Sequence, residues 1–226
     1  GTATVTLTNT YTQDVGSLEI TKTASGNTVP ADTAFTITGP DNYSKTVKYS
    51  EFIEGKCTLN NLAVGEYTVS EDTATAAVEN YTLTVTGNGA TAAVTKDATA
   101  SLTIANTYTQ DVGSLKITKT FEGTPADADL SGLSFTINDG TTDTVVTYAA
   151  FTDGAYTIAN IPVGTTYTVT ETNAGTLIAN YSLSADSVTE GTATIAKDEE
   201  AIIELTNKYT QDVGSLKITK TFEGTP

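Results

Sequence analysis

NTYTQDVGSLEITKT, residues 9–23, recurs as NTYTQDVGSLKITKT at residues 106–120 and as NKYTQDVGSLKITKT at residues 207–221. The asparagines that open the copies lie 97 and 101 positions apart, and a repeat at a regular period defines the folding unit before any single residue is interpreted. That period is the length of one small domain. Each copy has the pattern of a last strand, a polar turn and a first strand, so the copies predict junctions between domains.

The repeat therefore predicts two complete domains within the 226 residues, at residues 14–109 and 111–210. Residues 1–12 are expected to be the last strand of a preceding repeat, with strict alternation over residues 3–11, and residues 213–226 resemble the first strand of a following repeat. The two ends supply only a first and a last strand, so they cannot form a domain together. We expect neighbouring repeats of the same polypeptide or filament to order them.

Strand-forming residues dominate the chain, in short runs of Thr, Val, Ile and Tyr that Gly, Asn and Asp interrupt. Alternation along these runs predicts an all-β fold, and their regular spacing predicts a β-sandwich in each domain. The second domain repeats the scheme of the first, whose strands are predicted at residues 17–23, 34–38, 44–49, 56–59, 66–71, 81–86, 91–95 and 101–108.

Composition excludes several classes of function. The formal net charge of −16 disfavours nucleic acid, and no run of eighteen apolar residues exists for membrane insertion. His, Trp, Met and Arg are absent, so much catalytic and metal chemistry is missing, and we expect no cofactor and no metal. Asp14, Asp111 and Asp212 supply one carboxylate per junction, too few for calcium. The single Cys57 cannot form an intrachain disulfide, and its place on a strand predicts a buried apolar role.

Three polar residues in each domain occupy positions where alternation demands an apolar side chain. Lys22 follows Leu18 and Ile20 on one face of its strand, and Glu71 and Asn106 each follow two inward residues in the same way. The second domain has the same arrangement at Lys119, Glu171 and Asn207. An unpaired buried charge or amide is costly, so we expect the three side chains of each domain to meet.

Contact between the three side chains allows two interpretations. The first is a buried ion pair beside a hydrogen-bonded asparagine. In the second, burial lowers the lysine pKa and leaves a neutral amine, which attacks the asparagine carboxamide while the glutamate relays protons and ammonia leaves. The product is an isopeptide bond between the first and last strands, Lys22 to Asn106 and Lys119 to Asn207.

Two stretches resemble a known family. The sequence from FIEG (52–55) to LAVGEYTVSE (62–71), and that from FTDG (151–154) to IPVGTTYTVTE (161–171), are similar to the collagen-adhesin B-type (CnaB) domains of Gram-positive surface proteins and pilins. The glutamate that closes each stretch resembles that of the pilin E-box. The resemblance implies tandem Ig-like or prealbumin-like sandwiches with a Greek-key-like topology. No proline follows either glutamate, and no sortase motif is present.

The resemblance also implies roles for the six polar residues. The lysine and asparagine of the family's cross-link correspond to Lys22 and Asn106, and to Lys119 and Asn207, with Glu71 and Glu171 as the catalytic proton relays. By the same repeat, Asn9 and Lys220 are predicted to cross-link to neighbouring repeats.

The expected function is a structural stalk or fibre segment on the extracellular surface of a bacterium, attached to the cell wall or part of a filament. An isopeptide bond across the path of tension would protect each sandwich, and the short YTQDVG linker would keep consecutive domains close. The alternative is a ligand-binding adhesin module that contacts a host surface or matrix ligand. The only chemistry expected is the single-turnover self-reaction, so the chain is not predicted to be an enzyme.

Overall fold

A computed structural model gives the structure of the chain and describes residues 1–224. The chain divides into two compact units, Gly1–Gln110 and Asp111–Pro226, and the division falls inside the repeated stretch. Strands make up about half of each unit, and their four-stranded sheets confirm the all-β sandwich fold predicted from alternation.

In the first unit, eight strands of the described residues form two four-stranded sheets with the orders β4-β1-β8-β6 and β3-β2-β5-β7. A four-residue helix, α1 (Thr73–Ala76), follows the fifth strand. The strands are β1 (Val15–Ser25), β2 (Ala34–Thr38), β3 (Ser44–Lys48), β4 (Lys56–Ala63), β5 (Gly65–Glu71), β6 (Tyr81–Thr86), β7 (Ala90–Val94) and β8 (Thr99–Gln110).

The core of the first unit lies between the two sheets. Successive side chains of a strand point to opposite faces, so every second residue of the central strands is buried. Both sheets contribute to the core, with Leu18, Ile20, Phe35, Ile37, Tyr67, Val69, Leu102 and Ile104 as its main members.

The first and last strands of the unit are parallel neighbours at the centre of one sheet. In the register of β1 and β8, Lys22 lies opposite Ile104 and Asn106 lies opposite Ala24. Residues two apart on a strand share a face, so the lysine and the asparagine are diagonal neighbours on the inward side. Glu71 ends β5, in the middle of the opposite sheet.

The second unit repeats this architecture, with sheet orders β12-β9-β16-β14 and β11-β10-β13-β15. Its first and last strands are again parallel, with Lys119 opposite Leu205 and Asn207 opposite Phe121. The strands are β9 (Val112–Glu122), β10 (Ser134–Asn138), β11 (Asp143–Thr147), β12 (Ala155–Pro162), β13 (Thr166–Glu171), β14 (Tyr181–Leu183), β15 (Glu190–Thr194) and β16 (Glu200–Gln211).

Two strands end earlier than alternation predicts. β3 stops at Lys48, because Tyr49–Glu51 forms a 3-10 turn in which the Phe52 N–H donates to the Tyr49 carbonyl at 2.9 Å. The equivalent turn, Tyr148–Ala150, ends β11. Both turns place an aromatic residue against the core, a local change of direction that alternation alone does not reveal.

Cys57 is half-buried, opposite Ile20 in the β1–β4 register, and packs against the core. Burial raises the pKa of its thiol. Tyr156 occupies the equivalent position opposite Ile117 in the second unit. The sandwich therefore accommodates either a small side chain (cysteine) or a large one (tyrosine) at this position.

The two alternating terminal segments form no strands within the described residues. Residues 1–14 and 212–224 have no regular secondary structure, so the strand predicted over residues 3–11 is not formed. A strand needs a hydrogen-bonded neighbour, and alternation does not supply one. Val5 and Leu7 are 82% and 91% exposed, whereas the equivalent Leu102 and Ile104 of β8 are 9% and 0% exposed. Residues 225–226, which end the predicted following strand, lie outside the described residues.

Candidate functional site

Lys22, Glu71 and Asn106 meet inside the first sandwich. The three residues are only 3%, 4% and 1% exposed, and they come from β1, β5 and β8 respectively. The inward positions predicted for them from alternation therefore converge on one point, where two neighbouring parallel strands face the opposite sheet.

The hydrogen bonds between these side chains form a closed triangle. Lys22 Nζ donates to Glu71 Oε2 at 2.6 Å and to Asn106 Oδ1 at 2.5 Å, and Asn106 Nδ2 donates to Glu71 Oε1 at 2.6 Å. One carboxylate oxygen thus contacts the amine and the other contacts the amide nitrogen. This arrangement allows the carboxylate to take a proton from the lysine and to deliver one to the carboxamide nitrogen.

Burial controls the charge of the lysine. Desolvation lowers the pKa of Lys22 below its ordinary value of 10.5, although the hydrogen bond and the negative charge of Glu71 oppose that shift. The apolar surroundings include the ring of Phe35, whose centroid lies 5.8 Å from Nζ. The environment therefore shifts the equilibrium of Lys22 towards the neutral amine, which is the nucleophilic form of lysine.

The backbone of Glu71 is held by a side chain that alternation did not single out. Asn88, in the turn between β6 and β7, accepts a hydrogen bond from the Glu71 N–H at 2.7 Å and donates to the Glu71 carbonyl at 3.1 Å. This pair of bonds fixes the end of β5, the residue whose carboxylate contacts Lys22 and Asn106. The Gly-Asn-Gly sequence of residues 87–89 indicated a turn, but not this contact.

Tyr108 is a second residue that sequence reasoning missed. It lies two positions after Asn106 on the same face of β8, is 3% exposed, and its hydroxyl donates to the Ala76 carbonyl at 2.9 Å. Asn106 Nδ2 donates to the same hydroxyl at 3.2 Å. The Asn-x-Tyr spacing, present in all three copies of the repeat, was the signal that could have identified it.

The second unit brings together the equivalent residues with looser contacts. Lys119 Nζ lies 2.7 Å from Glu171 Oε1, and both side chains are fully buried. Within residues 1–224, Lys119 Nζ, both carboxylate oxygens of Glu171 and Asn207 Oδ1 have no partner in hydrogen-bond geometry. Lys119 and Glu171 are therefore close enough to form an ion pair, but they lack the hydrogen-bond geometry seen in the first unit.

An aromatic ring lies closer to the amine of Lys119 than to that of Lys22. The ring centroid of Phe121 lies 5.0 Å from Nζ, and desolvation lowers the pKa of this lysine against the opposing effect of Glu171. Asn207 Nδ2 donates to the Tyr209 hydroxyl at 3.3 Å, and that hydroxyl donates to the Ala174 carbonyl at 2.9 Å.

Asn9 and Lys220 are not brought to either site. Both lie in the exposed terminal segments, and the cross-links predicted for them to neighbouring repeats stay predictions. Lys220 Nζ lies 4.5 Å above the ring of Phe222 within its own segment.

The aspartates of the junctions have ordinary partners. Asp14 pairs with Lys96 at 2.7 Å, Asp111 pairs with Lys197 at 2.9 Å, and Asp212 accepts from the Ser182 hydroxyl at 2.6 Å. Over the described part of the chain, no three His, Cys, Asp or Glu side chains cluster as metal ligands would. No helix of residues 1–224 has the length and apolar character needed to cross a membrane.

Comparison with known proteins gives one family match and several structural similarities. Residues 115–210 match the model of a domain of unknown function, DUF5979. No curated protein matches the sequence.

Three solved structures illustrate the structural similarity. The Bacillus anthracis TIE protein is 22% identical at a TM-score of 0.46, with 86% of this chain and 34% of that chain covered. The minor pilin GBS52 of Streptococcus agalactiae is 14% identical at a TM-score of 0.34, with 91% and 100% covered. A C-terminal fragment of the pilus adhesin SpaC of Lactobacillus rhamnosus GG is 14% identical at 0.44, with 92% and 100% covered. The chain spans about a third of the length of the TIE protein.

Proposed function

We propose that this chain is a structural segment of a bacterial surface protein or filament, in which each CnaB-type sandwich ties its first strand to its last by a self-formed isopeptide bond. The observation that carries the proposal is the buried Lys22, Glu71 and Asn106 triangle between two parallel neighbours and the opposite sheet. An equivalent set occupies the same place in the second unit.

In the second unit, the cost of burial argues against a permanent ion pair. A fully buried ion pair recovers its desolvation cost only with good geometry and additional hydrogen bonds, and the second unit lacks those bonds among its described residues. Condensation converts a lysine, a carboxamide and their unmatched polar atoms into one secondary amide. It therefore removes the buried lysine charge instead of compensating for it.

The atoms of the reaction balance as follows. The lysine ammonium gives a proton to Glu71 Oε2, and the neutral Nζ forms a bond to Cγ of Asn106. The bond from Cγ to Nδ2 breaks as Glu71 passes a proton to that nitrogen and removes a second proton from Nζ. Ammonia leaves, and Glu71 retains one proton or releases it with ammonia as ammonium. Positioning by the folded strands supplies most of the acceleration.

The mechanical consequence follows from which strands are joined. The chain enters the first sandwich through β1 and leaves it through β8, which are neighbours in one sheet. Force applied along the chain would therefore be carried by the cross-link and not by the strands between β1 and β8. The loaded element is then a covalent bond. A chain of such units would suit a stalk or fibre under tension, and would resist proteolysis because its sandwiches do not open.

The terminal segments extend the same proposal to neighbouring repeats. Val5, Leu7 and Tyr11 are exposed, although their equivalents in β8 are buried. We propose that this segment completes the sandwich of a neighbouring repeat, with Asn9 as its acceptor, and that Lys220 is the matching donor on the other side.

Intact mass of the full chain tests the proposal. Two bonds should lower the mass by about 34 Da from that of the sequence, since each condensation releases one ammonia. Peptide mapping should recover Lys22 joined to Asn106 and Lys119 joined to Asn207. An unreduced mass of the folded chain would contradict the proposal, and Lys22→Ala with Lys119→Ala is the matched control that cannot condense.

A further inference from the structure

The two sites differ in their glutamate contacts but share one tyrosine contact. Asn106 Nδ2 donates to the Tyr108 hydroxyl at 3.2 Å, and Asn207 Nδ2 donates to the Tyr209 hydroxyl at 3.3 Å. In the second unit Asn207 Oδ1 has no hydrogen-bond partner among the described residues, yet the tyrosine contact remains. The tyrosine is therefore the hydrogen-bond partner that the carboxamides of both sandwiches share.

Each tyrosine hydroxyl has its own proton already engaged. Tyr108 donates to the Ala76 carbonyl and Tyr209 donates to the Ala174 carbonyl, both at 2.9 Å. A backbone carbonyl only accepts, so the proton of the hydroxyl must point at it. Burial raises the pKa of both tyrosines, which keeps that proton in place.

A hydroxyl whose proton is engaged can only accept from a further neighbour. The side-chain group that faces it must then carry an N–H, which an asparagine nitrogen has and an asparagine oxygen lacks. The contact thus fixes which way the carboxamide points. Its nitrogen faces the tyrosine, and in the first unit its oxygen faces Lys22 at 2.5 Å.

From this geometry we infer that Tyr108 and Tyr209 are positioning residues that orient the acceptor carboxamide and select asparagine over aspartate at positions 106 and 207. The inference rests on the proposed isopeptide function. The orientation turns the carbonyl side towards the amine, and it leaves the departing nitrogen beside a hydrogen-bond acceptor.

The selection of asparagine follows from the same proton count. An aspartate at position 106 has no N–H for the hydroxyl of Tyr108, so one of its oxygens would face the oxygen of the tyrosine. The hydroxyl could turn its proton towards the carboxylate only by leaving the Ala76 carbonyl without a partner. Either arrangement costs free energy that the asparagine avoids.

The test is a rate measurement on the full chain, sampled over time after cell-free synthesis. Peptide mapping reports the fraction of Lys22 joined to residue 106. Four chains are compared: the wild type, Tyr108→Phe, Asn106→Asp and the double variant. Tyr67→Phe is the matched control, because Tyr67 is also buried and donates to a backbone carbonyl, that of Ala63 at 3.0 Å, but within residues 1–224 its hydroxyl makes no hydrogen bond to the triad.

We expect Tyr108→Phe to slow cross-linking of the asparagine chain roughly three- to tenfold, the loss of one buried hydrogen bond, while Tyr67→Phe leaves the rate unchanged. In Asn106→Asp, the same change should slow cross-linking much less. The ratio of the asparagine rate to the aspartate rate should therefore be smaller in Tyr108→Phe than in the wild type. A purely structural tyrosine would slow both chains equally. Tyr209→Phe should reproduce the result at Asn207.

The outcomes separate this inference from the proposed function. Two results would overturn the inference but leave the proposed function intact, provided that the wild type cross-links. In the first, Tyr108→Phe cross-links as fast as Tyr67→Phe; in the second, Tyr108→Phe slows cross-linking to asparagine and to aspartate by the same factor. A wild type that never cross-links overturns both. Thermal unfolding of Glu71→Gln with and without Tyr108→Phe shows that the variant folds, because no bond is expected in either chain.

Discussion

At the scale of single residues, the exclusion of water determines what the lysine can do. An amine in water is protonated at neutral pH, whereas burial lowers the pKa of Lys22 and of Lys119. The adjacent glutamate opposes that shift, yet the same carboxylate is the group that can take the proton away. The same glutamate therefore stabilises the charged lysine at rest and, in the proposed reaction, takes up its proton.

Glu71→Gln should abolish the Lys22–Asn106 bond and leave the Lys119–Asn207 bond intact. Glutamine keeps the size of the side chain, but it has one acceptor oxygen where the carboxylate uses two, and it cannot take up the proton of the lysine. Glu171→Gln should give the reciprocal result, because each unit contains a complete set of three residues. Peptide mapping measures both bonds in each chain, and full cross-linking in both variants would show that glutamate is not the proton relay.

The pH dependence of stability should distinguish a free lysine from a cross-linked one. In Asn106→Ala the lysine has no acceptor, and we expect burial to hold its folded pKa below the unfolded value of 10.5, as burial does in the wild-type structure. Between the folded and the unfolded pKa, the unfolded chain binds more protons than the folded chain does. The free energy of unfolding should therefore increase as pH rises through that range. In the cross-linked wild type the same nitrogen is an amide and this increase is absent.

Denaturant unfolding of the first unit, at about pH 7 and about pH 9, measures the effect. The wild type controls for the other titratable groups, since both chains contain the same buried tyrosines and carboxylates. Equal pH dependence in the two chains would mean that Lys22 remains free in the wild type.

At the scale of secondary-structure elements, alternation predicted much of the site and little of what supports it. Lys22, Glu71 and Asn106 were identified because a strand buries every second residue, and a polar side chain in that series is conspicuous. Tyr108 was hidden by the same logic, since a tyrosine at an inward position resembles ordinary core. Its role depends on the carbonyl of Ala76 in α1, a contact that no local pattern encodes.

The terminal segments show the converse limit. Residues 3–11 alternate as well as β8 does but form no strand, because alternation describes which face a residue would take and not whether a neighbouring strand is present. The early ends of β3 and β11 have a similar cause, since a 3-10 turn depends on local hydrogen bonds.

Asn88→Ala should weaken the first unit through the end of β5. The change removes two hydrogen bonds to the backbone of Glu71, so the uncross-linked unit, measured in the Lys22→Ala chain, should lose about 1–3 kcal/mol of unfolding free energy. In the otherwise wild-type chain, bond formation should slow because the carboxylate is less firmly placed.

The control is Asn60→Ala, which removes an asparagine whose oxygen accepts from the exposed hydroxyl of Ser17. Equal effects of Asn88→Ala and Asn60→Ala would show that the Asn88 contacts do not position Glu71. In the second unit the Glu171 N–H donates to the Thr189 carbonyl instead, so that unit should be unaffected by either change.

At the scale of the whole molecule, each sandwich contains its own lysine, glutamate and asparagine. The bond proposed in each joins the strand that enters the unit to the strand that leaves it. The lysine and asparagine of the first unit are 84 positions apart in sequence but in contact in space. A cross-link between these two residues would prevent the segment between them from extending under force.

Single-molecule pulling on the two ends should therefore give different results for wild type and variants. The wild type should extend without unfolding either sandwich, because force passes through Lys22–Asn106 and Lys119–Asn207. Glu71→Gln should release in one step the segment that spans the 84 positions from Lys22 to Asn106, which adds roughly 290 Å of extended chain. The second unit of the same molecule should stay closed and acts as an internal control. A wild type that shows two such steps would place the load on hydrogen bonds alone, and the stalk function would lose its mechanical basis.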